Sequence, residues 1–205
     1  AHHLRTCEPL FVGLTDLLTN HTKLPCKLKI NERYAWVMPD KKYPLITDDI
    51  LANNGTYSGA SVTIDYREGR MRTFEEFQAR SSSGDIYQHA QAIRAYEKRL
   101  SEANSTQDNE YRIRLGRIAH DSFVALFVAN TGINESPLRE LPWDPKYQII
   151  KDDEVGMRTI KFRAQNKIIT VRVKASFIKH FKKFVKLRNY LCDGIDHRYL
   201  FIGFN

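Results

Sequence analysis

The feature that most constrains the fold is a run of three short extended segments between two helical segments in the second half of the chain. Residues Tyr147–Ile150, Met157–Ala164 and Lys167–Val173 are rich in β-branched residues and predict strands. Only Gln165-Asn166 separates the last two, which predicts a tight hairpin. Ala175–Leu191 has apolar residues at helical spacing and predicts an amphipathic helix. Together these segments predict an α+β fold, mainly helical, with a small three-stranded antiparallel sheet.

A strongly apolar helix is predicted before the sheet, from Ile118 to Asn130. Thr131-Gly132 is expected to end it, because glycine accepts the left-handed backbone conformation that commonly follows a helix. Ser136-Pro137 then predicts a short helix, since the first turn of a helix does not use the N–H that proline lacks.

The polar stretch Asn104–Asn109 (NSTQDN) marks the predicted boundary between two regions, because the sequence becomes basic and then strongly apolar after it. Residues 1–105 are expected to form a small N-terminal mixed region, and residues 106–205 the unit that contains the sheet. The N-terminal region is predicted to hold a helix at Pro9–Thr19, strands at Tyr34–Met38 and Ala60–Tyr66, a capping box at Thr73 and Glu76, and a helix from Asp85 to about Ala103.

Composition indicates a class of partner and a compartment. The net charge of +8 and the pI near 9.4 favour binding to a polyanion, although a solvated basic surface would give the same values. No run approaches the ~20 apolar residues that cross a bilayer, and three scattered cysteines suit a reducing cytoplasm. His2, His3, Cys7, His21 and Cys26 lack the spacing of a zinc site, so we expect no metal and no cofactor.

The stretch from Thr131 to Asp144 reads TGINESPLRELPWD, a hairpin follows at Phe162–Lys167, and Tyr199-Leu200-Phe201 lies after the last helix. This order resembles the first half of the catalytic domain of phage-integrase-type tyrosine recombinases, and in particular the integrases of genomic islands. The signature of that family is Thr-Gly-x-Arg-x-x-Glu-Leu followed by Leu-x-Trp-x-Asp, and the residues here that fall in register with it are Thr131, Gly132, Ser136, Leu138, Leu141 and Trp143.

The resemblance implies a DNA-binding fragment of a site-specific recombinase from a mobile genetic element. Such an enzyme acts in DNA integration and recombination by tyrosine-mediated transesterification when it is complete. Asn134 stands where the family has its first catalytic arginine, and the family's second-half Arg, His and Tyr are expected to be missing, because only Ile202–Asn205 follows the Tyr-Leu-Phe segment. Enzyme activity is therefore left open. A catalytically inactive DNA-binding or accessory protein and a protein-interaction domain are the alternatives.

The expected partner is duplex DNA, with possible self-association on DNA and no membrane. Lys167 is the candidate for the lysine that acts as general acid in this family. The residues predicted to contact DNA are Arg112, Arg114, Arg158, Lys161, Arg163, Lys167, Lys182, Lys183 and Lys186. Tyr199 is expected to pack into the protein instead of acting as a nucleophile.

Overall fold

The computed structural model describes residues 2–41, 43–47, 62–81, 84–106, 108–144, 147–151, 156–164 and 167–203. About half of the chain is helical and the strands form small antiparallel sheets, so the predicted α+β class is confirmed. The chain divides into two compact units. One, which we call the inserted unit, is Asn20–Leu115; the other, the discontinuous unit, joins Ala1–Thr19 to Gly116–Asn205. The predicted division at residue 105 differs from this one.

Among the described residues, six α-helices and eight strands have defined bounds, and residues 62 and 63 are helical as well. The helices are α1 (His2–Thr19), α2 (Phe74–Gln78), α3 (Ile86–Ser105), α4 (Glu110–Thr131), α5 (Glu135–Arg139) and α6 (Ile178–Cys192), and a 3-10 turn at Ala175–Phe177 leads into α6. The strands are β1 (Cys26–Ile30), β2 (Arg33–Val37), β3 (Leu45–Ile46), β4 (Ile64–Asp65), β5 (Arg70–Met71), β6 (Gln148–Lys151), β7 (Met157–Ala164) and β8 (Lys167–Lys174).

The inserted unit contains the sheet β1-β2-β3, the hairpin β4-β5, and helices α2 and α3. A cluster of buried side chains fills its centre: Met38, Ile46, Ile64, Tyr66 and Tyr96. The capping box before α2 is confirmed, because the Thr73 N–H donates to the Glu76 carboxylate at 2.9 Å and the Glu76 N–H donates to the Thr73 hydroxyl at 3.3 Å. The predicted cap on α3 is also present, where Asp85 accepts from the Gln88 N–H at 2.8 Å.

In the inserted unit, one predicted strand is much shorter than expected and one strand was not predicted. The strand expected at Ala60–Tyr66 is reduced to Ile64–Asp65, and residues 60 and 61 lie outside the described residues. Strand β1 was not predicted, because its flanking prolyl segment and its lysines suggested a connection. It forms because Leu28 is buried opposite Ala35 of β2, which leaves Lys27 and Lys29 exposed.

Helix α4 is continuous from Glu110 to Thr131, although only Ile118–Asn130 was predicted as its apolar part. A side chain at Gly116 would collide with the side chain of Leu191 on α6, so the glycine permits the close approach of these two helices. Gly132 ends α4 as expected: its φ is +65° and its N–H donates to the Val128 carbonyl at 2.8 Å.

Aromatic rings form the core of the discontinuous unit. Phe123 of α4 stacks on Phe184 of α6 with ring centroids 4.1 Å apart, and Phe11 of α1 lies 4.9 Å from Phe123. Phe11, Leu14 and Leu18 of α1 are all fully buried. Helix α1 therefore groups with the C-terminal residues, because its apolar face is covered by α4 and α6.

The sheet of this unit is three-stranded and antiparallel as predicted, and its strand order is β6-β7-β8. Phe162 pairs with Ile169 and Arg163 with Ile168, while the turn predicted at residues 165 and 166 lies outside the described residues. The segment after α6 is extended as predicted, where Tyr199 bridges to Pro142 and the Leu200 N–H donates to the Leu141 carbonyl at 2.8 Å.

Candidate nucleic-acid interface

Positive charge is concentrated in one stretch of the sequence. Between Met157 and Cys192 there are eleven Lys and Arg and no Asp or Glu, whereas the other residues include 21 Lys and Arg and 24 Asp and Glu. The whole of the net charge of +8 therefore comes from this stretch, which folds into β7, β8, the 3-10 turn and α6. Because like charges at such density repel one another, the stretch favours a bound polyanion that neutralises them.

One face of the β7-β8 hairpin is apolar and the other is basic. Ile160, Phe162, Val171 and Val173 are buried on the inward face. The outward positions of the same strands carry Lys161, Arg163, Arg172 and Lys174, which we call the sheet surface. Arg172 lies opposite Thr159, and Lys161 lies opposite Thr170. The described residues of this sheet include no acidic side chain.

Two of the residues of this hairpin that were predicted to contact DNA lie on one face. Lys161 and Arg163 lie on the sheet surface, and Arg163 is exposed. Arg158 lies on the opposite, inward face, because it is two residues from Ile160 in the same strand. Its guanidinium donates to the Met157 carbonyl at 2.6 Å. The backbone of Lys167 pairs with Ala164, but its side chain lies outside the described residues, so its catalytic role stays a prediction.

Sequence reasoning missed two of the four cations on the sheet surface. Arg172 and Lys174 follow Thr170 at intervals of two residues, so they emerge from the same face of β8. The period-two alternation of Ile169, Val171 and Val173 carried this signal, because it fixes the inward face and therefore the outward one.

A second group of cations lies on α6. Lys179, Lys182 and Lys186 are exposed and separated by three and four residues, which places them along one side of the helix. We call these three residues the helix surface. Lys183 was predicted to join them, but it is only partly exposed and forms an ion pair with Asp16 of α1 at 2.5 Å.

The prediction that Arg112 contacts DNA is wrong. This residue is 0% exposed, and its guanidinium donates to the carbonyls of Ala103 and Thr22, each at 2.9 Å, and to the Asn104 side chain at 3.3 Å. It stabilises the interior of the inserted unit. Arg114 is exposed, as a residue that contacts DNA must be, and its guanidinium donates to the Lys41 carbonyl. Its contact with DNA stays a prediction.

Arg188 anchors the segment that follows α6. It is 2% exposed, and it donates to the carbonyls of His197 at 2.7 Å, Tyr199 at 2.9 Å and Leu200 at 3.1 Å. Its guanidinium also lies 3.9 Å from the ring centroid of Trp143, and burial lowers the pKa of the group. The prediction that Tyr199 packs into the protein is wrong, because the residue is 41% exposed and only its backbone is held.

His120 was not singled out from the sequence, yet it holds the same segment. It is 4% exposed, and its Nε2 accepts from the Ile202 N–H at 3.1 Å. The proton of the neutral ring is therefore on Nδ1, which lies 3.1 Å from the Asp121 carboxylate. Burial lowers the pKa of His120, although Asp121 acts in the opposite direction.

Asn134 is the residue that the sequence resemblance aligns with the first catalytic arginine of tyrosine recombinases. It is exposed, precedes α5 as its N-cap residue and makes no side-chain capping bond. Arg139, the nearest guanidinium along the chain, is bound to the carboxylate of Glu135 at 2.5 Å. The arrangement therefore offers an uncharged amide where a phosphate clamp would need a permanent positive charge.

Comparison with known proteins finds no matching protein family, no matching curated protein and no matching solved structure. Within the described ranges, no helix combines the length and the apolar character needed to cross a membrane. The same part of the chain contains no group of three His, Cys, Asp or Glu side chains that could hold a metal ion.

Proposed function

We propose that this chain is a DNA-binding fragment of a site-specific recombinase of the phage-integrase type. The observation that carries the proposal is the stretch Met157–Cys192, which contains no acidic residue and places seven of its eleven cations on the sheet surface and the helix surface. The order of α4, α5, the three-stranded sheet and α6 supports it, since that order was expected from the resemblance.

The proposed role of the fragment is to bind and position the duplex. Lysine and arginine displace the counterions condensed on DNA, so each phosphate that they contact adds affinity that salt removes. The sheet surface offers four cations and the helix surface three. If the three or four cations of one surface contact the phosphates of a duplex, the slope of log affinity against log salt is about −3 to −4.

Strand cleavage is assigned to the complete recombinase, in which a tyrosine attacks the phosphate and forms a covalent DNA intermediate. Asn134 makes this fragment a poor catalyst even beside such a tyrosine, because an amide cannot form a charged bidentate clamp on the reacting phosphate. The same residue favours a second candidate function, that of a catalytically inactive DNA-binding or accessory protein.

Fluorescence anisotropy with a labelled duplex of about two turns, measured between 50 and 300 mM salt, tests the proposal. The sheet variant combines Lys161→Glu with Arg163→Glu, and we expect it to weaken binding and to reduce the salt slope by about 2. Lys98→Glu is the matched control, because this lysine belongs to the inserted unit and its side chain is 79% exposed.

Absent binding, binding that salt does not weaken, or equal losses in the sheet variant and the Lys98→Glu control would remove duplex DNA as the partner. A protein-interaction domain would then be the better assignment. Incubation with a nicked duplex tests both DNA-binding functions, since neither gives this chain the nucleophilic tyrosine; a covalent protein–DNA adduct would contradict both.

A further inference from the structure

We infer that this chain binds two separate duplex segments at once, one on the sheet surface and one on the helix surface. The inference rests on the proposed function, because it takes duplex DNA as the polyanion. It concerns the number and the arrangement of the binding surfaces, which DNA binding by itself does not determine.

The sheet surface faces away from α6. On the inward side of the sheet, Phe162 lies against Phe181 of α6 with ring centroids 6.1 Å apart. Lys161 and Arg163 flank Phe162 in β7 and therefore point to the other side of the strand. A molecule bound to these cations lies across the sheet from α6.

The helix surface faces away from the sheet as well. At about 100° per residue, the mean direction of Lys179, Lys182 and Lys186 is about 130° from that of Phe181, which marks the side toward the sheet. The remaining sides of α6 are occupied: Phe184 stacks on α4, and Lys183 forms an ion pair with α1. The three exposed lysines thus form a side of their own.

The two surfaces approach each other at a cleft of about 300 Å³, which Lys174 and Lys179 both line. The carboxylate of Glu8 lies in the same cleft and is bonded to His180 at 2.9 Å. A negative charge therefore stands between the cations of the sheet and those of the helix. It repels a phosphate backbone that would run from one surface to the other.

The stiffness of DNA completes the argument. With a persistence length of about 150 base pairs, a duplex is nearly straight over the few turns that one protein covers. Following both surfaces would require a turn of about 130° within that length, and even bends of 40–90° have a substantial elastic cost. A second duplex on the other surface avoids this cost and neutralises the remaining cations.

A bridging assay tests the inference with the full chain. A biotinylated duplex is fixed to beads, and retention of a second, fluorescent duplex is measured after the protein is added. The sheet variant (Lys161→Glu with Arg163→Glu) and a helix variant (Lys182→Glu with Lys186→Glu) each remove one surface. We expect retention by the unaltered chain and by Lys98→Glu, and a loss of at least about tenfold in each surface variant, which still binds one duplex.

An equal mixture of the two surface variants distinguishes this arrangement from bridging by self-association. If one molecule bridges, the mixture remains inactive, because every molecule in it has a single surface. Restored retention in the mixture overturns the inference, as does full retention in either variant, or the loss of all binding in either variant while its circular dichroism is unchanged. Should a glutamate variant fail to fold, the corresponding Lys→Gln and Arg→Gln substitutions take its place.

The two proposals fail in different ways. Binding of the bead-bound duplex without retention of the second overturns the bridging inference and leaves the proposed function intact. Absence of any duplex binding overturns the proposed function, and the inference with it.

Discussion

Replacing Arg112 with methionine tests whether this residue is structural. Methionine keeps most of the apolar stem but lacks the N–H groups that donate to the Ala103 and Thr22 carbonyls. A carbonyl that loses its partner in a protein interior costs about 1–3 kcal/mol. The cost of leaving two carbonyls without a donor is offset in part, because the variant no longer buries a charge. We therefore expect the free energy of unfolding of the inserted unit to fall by about 3 kcal/mol.

Urea denaturation followed by tryptophan fluorescence measures this loss. The chain has two tryptophans, and Trp36 lies in the inserted unit, so a Trp143→Phe background makes the signal specific for that unit. With a slope of about 1–3 kcal/mol per molar urea, the midpoint should fall by about 1–3 M. Arg114→Met is the control, because its exposed side chain makes a single bond to Lys41 and should cost less than about 1 kcal/mol.

Equal midpoints for the two variants would refute the reasoning. So would an Arg112→Met variant of unchanged stability that binds duplex DNA more weakly, since that result would return Arg112 to the surface role predicted from the sequence.

Three further predictions concern buried polar groups. Arg188→Met removes the donors of three carbonyls and should lower the free energy of unfolding by about 3 kcal/mol, whereas Lys186→Met on the same helix should change it by less than about 0.5 kcal/mol in urea titrations. Burial holds the pKa of His120 below its ordinary value of 6.5, so the stability that the neutral ring contributes is fully present above that pH and is lost as the pH falls below it. His120→Gln should therefore flatten the pH dependence of the free energy of unfolding, measured by denaturation from pH 7.5 to 5. An unchanged pH dependence in the variant would contradict the assignment. The buried Tyr96 hydroxyl has no hydrogen-bond partner among the described residues, so Tyr96→Phe should be neutral or stabilising by up to about 1 kcal/mol in thermal melts. A destabilisation of more than about 1 kcal/mol would show that the hydroxyl does have a partner.

Local patterns made the second half of the chain predictable. The alternation in Met157–Ala164 and Lys167–Lys174, the helical spacing of Phe181 and Phe184, and Gly132 after an apolar helix each depend on neighbours within a few residues. Periodicity reports which face of an element is buried, and that information is present in the sequence itself. Apart from the start of α4, which lies eight residues before the predicted Ile118, the elements of this region therefore lie within a few residues of their predicted bounds.

Long-range contacts account for what sequence reasoning missed. Arg112 has the composition of a surface cation, and only carbonyls 9 and 90 residues away make it an interior residue. Lys183 is similar, because its partner Asp16 lies 167 residues earlier. No pattern in a single sequence indicates such pairings. The candidate interface was thus predictable where alternation defined it, and wrong where a cation found a distant partner.

The placement of α1 has a consequence for how this protein can be divided and how it forms. A fragment that begins at residue 106 lacks Phe11, Leu14 and Leu18, so it would expose Phe123 to water and is expected to aggregate. During synthesis, α1 is complete almost a hundred residues before the part of α4 that covers it, and longer still before α6, so its apolar side stays exposed to water in the meantime. Joining α1 directly to Gly116 through a short linker would remove that delay and yield a continuous polypeptide for the DNA-binding assays.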